Sequence, residues 1–340
     1  MAVIDIDKLL GEKSPENPSG ENLKHDNSFM ELAVAAKGKP EQVMGDSVKP
    51  AEPPDWSAVQ KMAIGMFANT IDIRVAVYLT TALLHNKGIP GLASGLGLIE
   101  KMLQTHWDTF HPQLDPEDNN DPMLRMNALE ELVDPDAIIA VVRSVPLVGI
   151  KTAGQFSLRD IEIASGQASP PADPNYEAPN SALIEGVFRD CDISDLKSLF
   201  DCAEQGVNTI KSIQAILNEL VGAQNAANLS GLSKELSSIY TIVKEQLAYR
   251  GAIEPEEEGA EQAANGKGSL TSAVNSRADV IRLLDKICDY YQKNEPSSPI
   301  PLMLVRTKRL VNMDFLEIMK ELAADGVKQA EMVVGVDKTK

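Results

Sequence analysis

The sequence predicts an all-α protein, and three observations lead to this prediction. Apolar residues recur at spacings of three and four through most of the chain, as they do on the buried face of a helix. Aromatic residues make up only 4% of the 340 residues, which argues against a β-sandwich or a β-barrel. Proline-rich and acidic segments interrupt the helical pattern, and they divide the chain into a helical body, a middle hairpin and a small C-terminal module.

The N-terminal body, residues 1–165, begins with a proline-rich arm. Residues 1–55 contain six prolines and one short helix candidate, so we expect an extended arm that wraps around the helices following it. The glycines of 91–97 lack the spacing of a phosphate-binding loop, and we interpret them as points where helices approach closely. A short hairpin is expected near residues 147–156. Predicted helices of the body are Phe29–Ala36, Trp56–Asn69, Asp72–Asn86, Gly91–Thr109, Met123–Leu132 and Asp136–Arg143.

Beyond the body, the sequence predicts two linkers and two further modules. A proline-rich stretch marks a linker at 166–180, and two long helices at Ser194–Leu220 and Ser230–Tyr249 predict an antiparallel pair in a middle domain at 181–250. Residues 251–275 are interpreted as a flexible acidic linker, because like charges and few apolar groups leave nothing to bury. Residues 276–340 are then expected to form a small helical module for self-association.

The charge and the composition exclude several classes of partner. The chain carries 32 basic and 50 acidic residues, a net charge of −18, with −10 in residues 1–150 and −8 in 151–340. A field of that sign repels nucleic acids and anionic membrane surfaces. The first residues lack the features of a signal peptide, no apolar run is long enough to span a bilayer, and three cysteines form no disulfide or zinc pattern. We therefore expect a cytoplasmic protein with no direct membrane insertion.

The sequence offers little for catalysis or metal binding. His106 and His111 are five residues apart and would point to different sides of a helix, so we expect carboxylate contacts from Asp108 or Asp115 rather than a shared metal. The loop 115–121 lacks the glycine and the glutamate that a calcium loop requires. Cys202 and Cys288 lie on apolar stripes and are predicted core thiols. We expect no catalytic residue, no metal and no cofactor.

Two arginines stand out among the remaining polar residues. Arg74 begins a helix that carries no other charge until its end, and Arg125 follows the acidic loop. A partly buried arginine usually needs a carboxylate, so we expect both to pair with Asp108 or Asp115 and to fix the loop. Direct contact with a partner protein is the alternative.

Several short blocks occur in a fixed order in the first half of the sequence. They are Pro18-Ser-Gly-Glu-Asn-Leu23, Pro50 to Trp56, Asp72-Ile-Arg74, Trp107-Asp108-x-x-His111-Pro112-x-Leu-Asp115 and Arg125-x-Asn127. Together they resemble the ImpA N-terminal domain, which defines TssA proteins of the bacterial type VI secretion system. The resemblance extends over residues 15–165. The sequence departs from the family pattern at His25, where an aromatic residue is expected. The resemblance implies family-motif and structural roles for Trp56, Arg74, Trp107, Asp108, His111, Pro112, Asp115, Arg125 and Asn127.

The segment Pro299–Leu316 resembles the shorter kind of TssA protein, whose C-terminal module is similar to a wedge-ring protein of contractile phage baseplates. This resemblance implies a non-enzymatic assembly factor that forms a ring-like homo-oligomer and contacts baseplate, tube and sheath proteins. A non-ring adaptor or chaperone is the alternative, and an enzyme with dispersed residues has no supporting motif. Oligomer or partner contacts are expected at Met303, Leu304, Arg306, Lys308, Arg309, Leu310, Met313 and Phe315, although the apolar ones could equally form the module's own core.

Overall fold

The computed structural model describes residues 3–23, 26–39, 41–44, 47–171, 176, 178–253, 284, 287–288, 291 and 300–310. The chain divides into two compact units, Met1–Glu257 and Glu258–Lys340. The described part is mostly helical, as the sequence predicts. Its helices are α1 (Ile6–Leu9), α2 (Asn27–Ala35), α3 (Trp56–Met66), α4 (Ile73–Lys87), α5 (Ile89–Thr105), α6 (Met123–Glu130), α7 (Ala140–Ser144), α8 (Leu158–Ala164), α9 (Ser181–Asp190), α10 (Ile193–Val221), α11 (Ser230–Tyr249) and α12 (Ile300–Leu310).

Two small antiparallel sheets occur in the part of the chain that the structure describes. Strands β1 (Gln42–Met44) and β2 (Ser47–Lys49) pair within the arm. Strands β3 (Pro146–Ile150) and β4 (Gly154–Ser157) form the hairpin that the sequence predicts. Ser157 then begins α8 with a capping box, in which its side chain and that of Asp160 each accept from the other's backbone N–H.

Helices α4 and α5 form the centre of the first unit. Their facing side chains are fully buried, α3 packs on α4, and α10 packs along α5. Helix α4 begins where the Asp72 carboxylate accepts from the Arg74 backbone N–H, and Gly88 separates it from α5. Within the described residues, none of the helices combines the length and hydrophobicity that a membrane crossing needs.

Glycines let α4 and α5 approach each other closely, as the sequence predicts. A Cβ atom on Gly91 would lie 2.1 Å from the Leu83 carbonyl oxygen. A Cβ atom on Gly95 would lie 2.6 Å from the Thr80 hydroxyl oxygen and 2.8 Å from the Thr80 Cα. Because backbone atoms cannot move aside as a side chain can, these two positions require glycine.

We expect Gly95→Ala to lower the free energy of unfolding by about 1–3 kcal/mol, because the methyl group overfills the α4–α5 contact. Gly65→Ala is the matched control, since nothing lies within 4 Å of a Cβ atom there and alanine favours the helix by about 0.5–1 kcal/mol. Urea denaturation followed by circular dichroism measures both changes. Equal effects of the two substitutions would contradict the close contact.

The long helices α10 and α11 belong to the same unit as the N-terminal body. They pack against each other across the short connection 222–229, and α10 also packs on α5. Buried side chains form one continuous core from α1 to α11. Residues 1–165 and 181–250, which the sequence predicts as separate domains, therefore lie within one compact unit.

Three local features differ from the sequence predictions. Helix α5 ends at Thr105 rather than near residue 109, because the chain turns at His106 and the N–H groups of Thr109 and Phe110 both donate to the His106 carbonyl. The arm contains α1 and the β1–β2 hairpin as well as its predicted helix. Helix α9 was not predicted, and it buries Ile184, Val187 and Phe188 against the rest of the unit.

The C-terminal predictions fall largely beyond the described residues. The predicted acidic linker from residue 254 onwards and the predicted helices at 314–323 and 325–334 lie outside them. Most of the predicted helix at 277–293 does so too, and these assignments stay predictions. Helix α12 agrees within one residue with the predicted helix at 300–311.

Candidate functional site

The motif residues of the sequence gather around the end of α5 and the beginnings of α4 and α6. His111 forms a short parallel bridge with the segment before α4. Its N–H donates to the Ile71 carbonyl at 2.9 Å, and its carbonyl accepts from the Ile73 N–H at 2.9 Å. This bridge fixes the loop after α5 against the beginning of α4.

Part of the arm is held against this bridge by five hydrogen bonds, and we call the assembly of 19–21, 69–72 and 109–111 the arm clasp. The carbonyl of Ser19 accepts from the Ile71 N–H at 2.7 Å. The Glu21 N–H donates to the Asn69 carbonyl at 3.1 Å, and the Thr70 hydroxyl donates to the Glu21 carbonyl at 2.7 Å. The Ser19 hydroxyl donates to the Thr109 hydroxyl oxygen at 2.8 Å.

His111 supplies the fifth bond of the arm clasp. The residue is 3% exposed, and its Nε2 lies 2.9 Å from the Gly20 carbonyl oxygen. Because a carbonyl only accepts, Nε2 carries the proton, while Nδ1 has no hydrogen-bond partner among the described residues. The predicted carboxylate contact of this histidine is therefore wrong, since its partner is a backbone oxygen. His106 lies apart, with its Nδ1 2.7 Å from the Thr105 hydroxyl.

Arg74 pairs with Asp72 rather than with the predicted Asp108 or Asp115. Its Nε and Nη2 donate to the two carboxylate oxygens at 3.0 and 2.6 Å, and Asp72 is completely buried. The guanidinium carbon also lies 4.5 Å from the centre of the Phe29 ring, which contacts Tyr78 edge-on. Arg74 thus joins α2 of the arm to α4 through its contact with Phe29, while its pair with Asp72 lies at the beginning of α4 itself.

Arg125 is bound by backbone carbonyls and aromatic rings, again contrary to the predicted carboxylate pairing. Its Nε, Nη1 and Nη2 donate to the carbonyls of Pro112, Trp107 and Phe110 at 2.7, 2.6 and 2.8 Å. The guanidinium carbon lies 4.6 Å from the Trp107 ring centre and 4.0 Å from that of Phe110. These contacts fix the loop after α5, residues 107–112, and not the acidic loop 115–121 that the sequence predicts Arg125 to hold.

The Arg125 side chain remains a cation in spite of its burial. The residue is 1% exposed. Desolvation lowers the pKa of its guanidinium to about 10, and the negative charges of Asp108 and Asp72 oppose that shift. The group is therefore charged at neutral pH and is stabilised by carbonyl dipoles and aromatic faces.

Trp56 has a structural contact away from this cluster. Its ring stacks on His85 with ring centres 4.0 Å apart, and the Asn86 side chain donates to the Trp56 carbonyl at 3.0 Å. Burial lowers the pKa of His85, which favours the neutral ring. The contact joins the beginning of α3 to the end of α4.

Three of the predicted motif residues point to solvent. Asp108 is exposed, and so is Asp115, whose carboxylate accepts from the Glu117 N–H at 2.8 Å and caps the short 3₁₀ turn Pro116–Asp118. Asn127 lies on the outer face of α6 and is exposed. Pro112, in contrast, is buried and gives its carbonyl to Arg125.

The cysteines that the structure describes are poorly placed for chemistry. Cys191 and Cys288 are buried and Cys202 is half-buried. Burial raises the pKa of the Cys191 and Cys202 thiols, which disfavours the reactive thiolate.

Arg250 donates to the carbonyls of Phe188 and Cys191, so it fixes the end of α11 to the α9–α10 junction. Across the described ranges, no three acidic, histidine or cysteine side chains converge as metal ligands would.

Helix α12 carries most of the predicted contact residues of the C-terminal module. Met303 is 68% exposed, whereas Leu304 and Leu310 are half-buried. Arg306 is exposed, Lys308 is half-buried, and Arg309 belongs to the same helix. Val305, which was not predicted, is 49% exposed. Met313 and Phe315 lie outside the described residues.

Comparisons with known proteins identify relatives of this chain. A family model described as ImpA, N-terminal, type VI secretion system, matches residues 12–134, the range that holds the arm clasp and Arg125. A Pseudomonas aeruginosa protein, the type VI secretion system component TssA1, is 34% identical over 98% of this chain and 99% of its own length. The chain belongs to the TssA family of type VI secretion system components. Family membership agrees with the resemblance noted in the sequence.

A solved structure shares the fold of about three quarters of this TssA-family chain. It is the N-terminal domain, including the conserved ImpA_N region, of the TssA component of the type VI secretion system from Burkholderia cenocepacia. The TM-score is 0.59 at 24% identity, over 73% of this chain and 96% of the other. The matched share is close in size to the unit Met1–Glu257.

Proposed function

We propose that the chain is a non-enzymatic, cytoplasmic assembly factor of the type VI secretion system. It forms a ring through residues 276–340 and contacts baseplate, tube and sheath proteins, whose assembly it promotes. The observation that carries this proposal is the similarity to a type VI secretion component along almost the whole of both chains. A similarity of that extent includes the C-terminal module as well as the ImpA-like region.

The use of the motif side chains supports a structural role. Arg74, His111 and Arg125 each bind groups of the same unit, and their contacts hold the arm and the loop after α5 in place. A catalytic site would need reactive groups directed at a cavity. These three side chains are instead directed at buried carbonyls, a buried carboxylate and aromatic rings.

Two exposed apolar side chains of α12 support self-association of the C-terminal module. Met303 and Val305 are large apolar side chains that water surrounds in the single chain, and contacts between copies would bury them. The half-buried Leu304 and Leu310 fit the other role, packing within the module. We therefore assign the contact between copies to Met303 and Val305 first.

Sedimentation of the full-length protein tests the ring. We expect a closed oligomer of the 36.8 kDa chain, and we expect Met303→Asp with Val305→Asp to reduce its mass, because buried charges in an interface are unfavourable. Met30→Asp with Val34→Asp is the control, since these residues are equally exposed on α2 of the first unit and should leave the mass unchanged. Single wild-type chains at every concentration would refute the ring and favour a non-ring adaptor.

A further inference from the structure

We propose that the outer face of α6 and the acidic loop before it bind a basic amphipathic helix of a partner protein. The inference rests on the proposed function, because an assembly factor must hold other proteins. The surface, which we call the α6 face, consists of Met123, Leu124, Asn127, Asp115, Glu117 and Asp121.

Two large apolar side chains project from the first turn of α6. Met123 is 57% exposed and Leu124 is 63% exposed. The next two residues, Arg125 and Met126, are buried, so the helix is oriented with its first two side chains outwards. Two adjacent exposed side chains of this size offer a partner apolar area to bury.

Asn127 extends the same outer face by one turn. It lies four residues after Met123 and three after Leu124, which are the helical spacings of one face. Its side chain is exposed and has no hydrogen bond to the described residues, whereas Arg125, Ala128 and Leu129 of the same helix are buried. The fold does not use this amide, which is free to bind a partner's polar group.

The loop before α6 holds two of its carboxylates, those of Asp115 and Asp121, by hydrogen bonds to backbone N–H groups. The Asn120 N–H closes the loop on the Asp115 carbonyl at 2.8 Å. Asp121 accepts from the Met123 N–H at 3.0 Å, so its carboxylate lies at the first turn of α6. Asp115, Glu117 and Asp121 are all exposed. Arg125 anchors the helix from the inside, which holds the apolar half of the α6 face in place.

The negative charge of this part of the chain favours a basic partner at the α6 face. Residues 1–257 contain 20 basic and 38 acidic residues, so the whole net charge of −18 belongs to that part of the sequence. A second copy would place the same acidic loop against its own equivalent, and a nucleic acid would be repelled. A helix with apolar side chains on one face and lysine or arginine beside them complements both the apolar pair and the carboxylates.

A peptide probe tests the apolar half. The probe is a fluorescent synthetic helix of about five turns, with leucine on one face and lysine on the other, titrated with the full-length protein and followed by anisotropy. We expect Met123→Ser with Leu124→Ser to weaken binding at least about tenfold. Met30→Ser with Val34→Ser removes an equally exposed apolar pair and should change the affinity less than about twofold. Thermal melting verifies that each variant is folded.

A second set of variants tests the charged half. Asp115→Asn, Glu117→Gln and Asp121→Asn together remove three charges while keeping the side-chain oxygens that cap the loop. We expect a loss of about tenfold at low salt and a weaker dependence on salt. The control is Glu185→Gln, Glu204→Gln and Glu219→Gln, three exposed positions on α9 and α10 that give the same net charge.

Several results would refute the proposal that the α6 face binds a basic helix. They are equal losses in the two charge variants, equal binding of a peptide with glutamate in place of lysine, or a serine variant that changes the protein's mass instead of its peptide affinity. The last result would indicate a second copy. Peptide binding depends neither on the ring nor on secretion, so its failure leaves the proposed function standing. A monomeric wild-type protein would refute the ring without affecting the peptide result.

Discussion

Replacing Arg125 by methionine is expected to lower the free energy of unfolding by about 3–5 kcal/mol. Three carbonyl oxygens lose their donors, and unsatisfied buried groups cost about 1–3 kcal/mol each, partly offset because an uncharged side chain needs no desolvation. Urea denaturation followed by circular dichroism measures the change. Loss of the loop's anchor should also alter the fluorescence of Trp107, whose ring contacts this guanidinium.

Two further variants separate the geometry of Arg125 from its charge. Arg125→Lys keeps a cation but cannot reach three carbonyls from one nitrogen, so we expect it to recover less than half of the lost stability. Arg189→Met removes an exposed arginine of α9, and it should change stability by less than about 0.5 kcal/mol. If Arg125→Met were as mild as Arg189→Met, the carbonyl contacts would not contribute to stability.

The second large effect is expected from Gly20→Ala, which should lower the free energy of unfolding by about 2–5 kcal/mol. The Cβ atom would lie 1.9 Å from the Asn69 carbonyl oxygen, at a backbone φ of +72° that side chains rarely adopt. The arm clasp should open, so hydrogen exchange at the Ile71 amide, whose N–H donates to Ser19, should accelerate.

Gly222→Ala separates backbone strain from the clash at Gly20. Its φ is +78° and nothing lies within 4 Å of its Cβ position, so only the conformational cost of about 1–2 kcal/mol applies. Its effect on Ile71 exchange should be negligible. Similar stability losses and similar exchange rates in the two variants would mean that Gly20 is needed for its dihedral angle alone.

Local signals made most of the helices of the first unit predictable. The apolar spacing in α4 and the aspartate before it mark both its buried face and its first turn, because a capping carboxylate has few other roles at that position. The glycines of α5 were also predictable as close contacts between helices, because their spacing does not fit a phosphate-binding loop. In α9, Asn180 and the spacing of Ile184, Val187 and Phe188 carry the same signals, although only the two longer helices of the middle domain are predicted.

The partners of the site residues could not be predicted in the same way. An arginine in a sequence suggests a carboxylate, because carboxylates are visible as residue types, whereas every residue has a carbonyl. Arg125 binds three carbonyls of one loop, and only the folded loop brings those oxygens together. The packing of α10 on α5 is likewise a contact between distant segments, and periodicity shows which face is buried but not what covers it.

The arm clasp also determines an order of events during synthesis on the ribosome. Residues 19–21 leave the exit tunnel first, but the surfaces that receive them come from residues 69–72 and 109–111, about fifty and ninety positions later. Residues 19–21 therefore stay without their hydrogen-bond partners until most of the ImpA-like region has emerged from the ribosome. A chaperone or a protease that acts during translation would therefore have access to this unpaired segment before the protein has folded.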